Sequence, residues 1–143
     1  MFAMNTMFIY PMVALFALTI VIMLVMFKTR VKAVKDGKMK ISDFKVYNTL
    51  QTDEVIQVSR HFSNLFETPV LFYTVSILGL LLNMPTIPFA ILAWLYVAAR
   101  IVHAYIHVGR NKIMYRMRVF GLSVLILVIM WVLVLVRALS IAS

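Results

Sequence analysis

Charge is missing from three long stretches of this chain, and that absence constrains the fold more than any motif does. No Asp, Glu, Lys or Arg occurs from Met1 to Phe27, from Thr68 to Ala99, or from Val119 to Val136. A helix needs roughly 20 apolar residues to cross about 30 Å of hydrocarbon, so the first and last stretches each supply one span. The middle stretch is too long for one helix. It contains Asn83-Met84-Pro85-Thr86-Ile87-Pro88, a turn by composition, which folds it into a helical hairpin. The expected fold is an all-α membrane protein, a single domain built as a four-transmembrane-helix bundle. Its spans run over about 8–27, 55–82, 88–108 and 114–139. Composition agrees: 64% of the 143 residues are hydrophobic, against about 45–50% in soluble domains.

The first span has no basic residue ahead of it and no small-x-small cleavage site, so it reads as a retained anchor. Thr52 or Asp53 is placed to cap span two, with Glu54 in its first turn. Cysteine is absent. That excludes disulfides, thiolate metal sites and a protein-borne thiol nucleophile, so sulfur chemistry needs a thiol from outside. The 11 methionines are scattered without ligand spacing and read as packing residues.

Orientation follows from the basic residues. Lys28, Arg30, Lys32, Lys35, Lys38, Lys40 and Lys45 occupy loop one, and Arg110, Lys112, Arg116 and Arg118 surround loop three. Loop two, Asn83 to Pro88, carries no charge. Basic loops stay cytoplasmic, which puts both termini on the non-cytoplasmic side. The net charge of +9 is thereby a topology signal with anionic lipid headgroups as a secondary partner, and nucleic acid is not expected.

Polar groups inside the spans carry the functional signal. Gln57, Arg60, Asn64 and Glu67 share an arc of about 80° on span two. Arg100, His103 and His107 share about 60° on span three, and Tyr96 extends that stripe. Charge in hydrocarbon costs several kcal/mol, so both stripes must face protein or a water-filled cavity. A rise of 1.5 Å per residue sets Arg60 to Glu67 about 8–20 Å inside the membrane, level with the span-three stripe. Arg116 on span four, with Lys28 and Arg30 ending span one, completes a basic pocket near the cytoplasmic face. The structural alternative reads Glu67 with Arg60 or Arg100 as an ion pair that fixes register, and Asn64 as interhelical glue. Pro69 removes the amide that would bond the Leu65 carbonyl, which predicts a kink beside Asn64 and Glu67. His103 and His107 have metal-ligand spacing, but a pair without further ligands beside Arg100 does not make a site, and no metal is expected.

Arg60-x3-Asn64-x2-Glu67, then Pro69, then Arg100-x2-His103-x3-His107 and Arg116 resembles the MAPEG family, membrane-associated proteins in eicosanoid and glutathione metabolism. The stretch Asn64 to Tyr73 and the run Arg100-Ile101-Val102-His103 are similar to its bacterial branch, which implies a bacterial inner membrane. The resemblance implies a homotrimer with glutathione bound between subunits. It implies that Arg60, Asn64, Glu67, Arg100, His103 and His107, with Arg30 or Lys28, line the glutathione site. Arg116 falls where the family's thiolate-stabilising arginine sits, which makes it the catalytic candidate. The implied activity is a glutathione-dependent transferase or peroxidase acting on hydrophobic electrophiles or lipid hydroperoxides. Four positions depart from the family's enzymes. His107 replaces a tyrosine, Ser63 an arginine, Met117 a serine and Phe120 a tyrosine. Those departures leave a non-enzymatic alternative, an accessory subunit of a larger membrane complex or a lipid-binding scaffold.

Overall fold

The computed structural model describes residues 5–45 and 51–142 of the chain. They form helices α1 (Ile9–Lys35), α2 (Asp53–Asn64), α3 (Thr68–Leu81), α4 (Thr86–Val108) and α5 (Ile113–Ala142), with single 3-10 turns at Asn5–Phe8 and Ile41–Phe44. Four helical segments are long and apolar enough to cross a membrane: Thr6–Lys35, Asp53–Leu81, Thr86–Val108 and Ile113–Ala142. Four spans were expected, and four are found. The chain runs up and down between two ends, a basic end at residues 36–45, 51–52 and 109–112 and an apolar end at residues 82–85.

Two spans differ from expectation for physical reasons. Span one continues to Lys35 instead of ending near Phe27. The run from Lys28 to Lys35 carries three lysines, an arginine and an alanine that favour helix, and Ala33 on its inner face is buried with Met39 and Val55. The α1 terminus then closes with Gly37 at φ +68, where Gly37 N–H bonds the Val34 carbonyl and Lys38 N–H bonds the Ala33 carbonyl. Span two is interrupted instead of kinked. Pro69 lies in the first turn of α3, and Leu65, Phe66 and Glu67 bond back only three residues to Phe62, Ser63 and Asn64. Proline is comfortable at a helix start and has no amide to continue the ladder, so the segment splits into α2 and α3. At its beginning, Thr52 takes the N-cap position without a side-chain capping bond, and Asp53 and Glu54 occupy the first turn.

Loop two is a tight reversal. Asn83 sits at φ +48, its N–H bonds the Leu80 carbonyl, and Met84 N–H bonds the Gly79 carbonyl. Asparagine tolerates the left-handed region better than other side-chain-bearing residues, which suits it to ending α3. Just inside this turn α3 and α4 approach closely at Gly79. A methyl group there would lie 2.6 Å from the Phe89 ring. Phe89 in turn meets Phe8 edge-on at 5.0 Å, within a core that also holds Leu15, Phe72, Val75, Tyr96 and Met130. That core fills the half of the bundle nearer the apolar end.

Candidate functional site

The basic half is built differently. A cleft of about 300 Å³ opens there between α2, α4 and α5. Arg60 and Asn64 line it from α2, His103 and His107 from α4, and Arg116, Met117 and Phe120 from α5. Helical spacing explains the grouping: residues three or four apart stack on one face, so each helix offers two or three side chains to one wall.

Hydrogen bonds tie each neighbouring wall to α4. Gln57 donates from Nε2 to the His107 carbonyl and, at 3.3 Å, to the Gly109 carbonyl. The last carbonyls of a helix have no intrahelical partner, and Gln57 satisfies that of His107 together with that of the capping residue Gly109. Higher up, Arg100 donates through Nη2 to the Asn64 side-chain oxygen and to the Asn64 carbonyl at 3.4 Å. The span-two break frees that region of backbone for the contact. On the opposite wall, His103 Nδ1 lies 3.2 Å from the Arg116 carbonyl. Arg116 itself donates to Asn111 Oδ1 at 2.7 Å. Asn111 holds a positive φ of 46° as the chain reverses from α4 into α5, so the loop geometry aims the guanidinium.

Arg100 is the largest fully buried side chain, with 0% exposure. Its Cζ stands 5.5 Å from the Phe120 ring centre, a cation–π contact. Its Nε and Nη1 have no hydrogen-bond partner. An unpartnered buried charged donor is expensive. Tyr96, one turn above, stacks on Phe72 with ring centres 4.5 Å apart and donates to Thr68 Oγ1 at 3.3 Å. It closes the site against the apolar core.

Of the residues selected from sequence, Arg60, Asn64, His103, His107 and Arg116 meet at the cleft. Arg100 lies behind Asn64, bound to it. Glu67 is exposed at the break and accepts from Asn64 Nδ2 at 3.3 Å. Arg30 sits apart from the cleft. It donates to Ser59 Oγ at 3.1 Å and covers the Phe44 ring, which ties α1 to α2. Lys28 is exposed on α1.

His61 is the residue that sequence reasoning missed. It is fully buried on α2, with Nδ1 2.9 Å from His107 Nδ1. At 100° per residue it falls about 40° beyond Gln57, just outside the polar arc drawn on span two. Its i, i+4 relation to Gln57, which reaches the same turn of α4, was the available signal.

Comparison with known proteins gives one result. The family model described as the MAPEG family matches residues 8–136. No curated protein and no solved structure matches the chain.

Proposed function

The chain belongs to the MAPEG family, and on that premise we propose that it is a glutathione-dependent transferase or peroxidase for hydrophobic electrophiles or lipid hydroperoxides. The observation that carries this reading is the cleft, where Arg60, Asn64 and Arg116 converge from two helices at the basic end. Glutathione carries two carboxylates and one ammonium. Guanidinium groups suit its carboxylates through planar, charge-assisted pairs. Exposed Glu67 offers a partner for the ammonium. In this reading Arg116 sits near the sulfur, where a positive charge favours thiolate over thiol. The thiolate is the nucleophile that the cysteine-free chain lacks.

The same reading includes a homotrimer. Arg60 and Glu67 are exposed on the protomer although they lie within a span, and Leu71 and Thr74 continue that exposed face along α3. A charged face at membrane depth needs protein against it. Native mass spectrometry in mild detergent is expected to give three chains of 16.4 kDa. A stable monomer would remove the shared site.

The activity is tested by ultraviolet absorbance on mixing protein with millimolar glutathione. Wild type is expected to show the thiolate band, and Arg116→Ala to lose it while retaining helical content and glutathione affinity. Arg116→Lys keeps charge without the planar fork and should fall between the two. Absence of both thiolate and glutathione binding in wild type would favour the accessory-subunit reading, which apolar Met117 and Phe120 on the cleft wall also support.

A further inference from the structure

The chain has three histidines, and all three meet. His61 comes from α2, and His103 and His107 come from α4. Each is buried, and one candidate ligand nitrogen from each lies within 4.8 Å of the others. Ring centres are 5.5 Å apart for His61 and His103, 4.9 Å for His61 and His107, and 5.6 Å for His103 and His107. We propose that these three imidazoles form a binding site for a divalent transition-metal ion of the zinc class, with its fourth coordination position open to the cleft.

Packing alone does not account for the cluster. His61 Nε2 is buried without a hydrogen-bond partner, so the one polar tie of that ring is at Nδ1. The 2.9 Å contact between His61 and His107 places one proton between two nitrogen lone pairs. A metal ion takes the place of that proton and draws on both rings.

His103 is oriented in the manner of a metal ligand. Its Nδ1 faces the Arg116 carbonyl at 3.2 Å. A proton on Nδ1 satisfies that carbonyl and leaves Nε2 as a lone pair, which is how metal-bound histidines are commonly held by a second partner. Bonds of about 2.0 Å in a tetrahedral arrangement set ligand nitrogens about 3.3 Å apart. The His61 and His107 nitrogens stand 2.9 Å apart and all three lie within 4.8 Å, so side-chain rotation brings the set to bonding distance.

The donor set selects the ion. Neutral imidazole suits zinc, copper, iron and nickel, while calcium and magnesium require oxygen ligands. Three histidines with an open fourth position form the arrangement of a reactive centre; structural zinc sites close all four positions. His103 and His107 both line the cleft, so that fourth position is reachable. Arg60 and Arg116 line it too. Their charge opposes a bare cation and favours an anionic fourth ligand, so metal and anion bind together. Hydroxide and a thiolate both meet that requirement. The site rests on this geometry and stands whether or not glutathione is the physiological thiol.

The test uses full-length protein with a tag that contains no histidine, stripped with chelator and titrated with cobalt(II) in the absence of thiol. Wild type is expected to bind one cobalt per chain with the visible absorption of a four-coordinate ion. His61→Gln removes a direct ligand and should weaken binding by more than about tenfold, the loss that removal of an outer-shell partner alone produces. X-ray absorption on zinc-loaded wild type should show three imidazoles at about 2.0–2.1 Å. Failure of wild type to take up stoichiometric metal overturns the site. Wild-type affinity in folded His61→Gln overturns it as well. Should His61→Gln not fold, the X-ray measurement decides, and fewer than three imidazoles rejects the proposal. Glutathione affinity measured on the stripped protein reports separately on the thiol reading.

Discussion

The two halves of the bundle hold together by different means. Toward the apolar end, Phe8, Leu15, Phe72, Val75, Phe89 and Met130 interlock in a core. Toward the basic end, apolar packing shrinks to small clusters around Ile22, Leu65 and Ala104 and around Ala33, Met39 and Val55. A cleft opens there between α2, α4 and α5, and Gln57, Arg100 and His103 reach across to neighbouring helices. Lipid tails are as apolar as leucine, so the first half gains from fit and dispersion more than from leaving water. The second half keeps costly groups, among them a fully buried arginine with two unpartnered donors. Close packing therefore concentrates in one half, and the cleft with its costly polar groups lies in the other. Proteins commonly accept this trade where a site must be poised for a ligand.

The comparison breaks most sharply at Gly79. Gly79→Leu forces a side chain into the space of Phe89, whose ring already stands 2.6 Å from the position of a single methyl. Overpacking of this kind costs about 1–3 kcal/mol. Thermal unfolding in detergent should shift downward accordingly, and thiol affinity of the protein that remains folded should be unchanged. Equal losses of stability and affinity would show that the halves are not separable.

A smaller effect of opposite sign is expected at Arg100. Arg100→Met keeps an elongated side chain and removes the buried charge together with its unpartnered Nε and Nη1 donors. Replacing buried charge by a well-packed apolar group is often neutral or stabilising, here by about 1 kcal/mol. Unfolding temperature should hold or rise while affinity for an anionic thiol falls. A large loss of stability would mean that the Asn64 contacts fully offset the cost of burial.

The sequence and the structure agree where the signal is long and periodic. Uncharged stretches gave four spans, and charges at three- and four-residue spacing gave the walls of the cleft. Agreement fails where local chemistry competes with a global pattern. Lys28 to Lys35 read as loop because charge marks the membrane edge, yet lysine and arginine extend a helix readily once it has left the bilayer. Pro69 announced a disturbance but not its size. Whether proline kinks a helix or starts a new one depends on the residues before it, here the turn from Leu65 to Glu67. His61 escaped because the polar arc was drawn through charged and amide side chains, and a histidine on its shoulder did not break the apolar pattern. Arg30 stands apart from the cleft, where its Nη2 donates to Ser59 Oγ, 29 residues further along.

The ties that radiate from α4 set the cost of filling the cleft. Gln57 fixes α2 to the end of α4 at two carbonyls, Arg100 fixes α4 to Asn64, and His103 fixes α4 to α5 at Arg116. With both walls pinned to one helix, the width of the opening is set before any ligand arrives. What remains to be ordered is side chains such as Arg60, exposed at the rim, at about 0.5–1.5 kcal/mol each. A ligand entering here settles into a frame instead of assembling one, and its affinity is governed by how well it matches that frame.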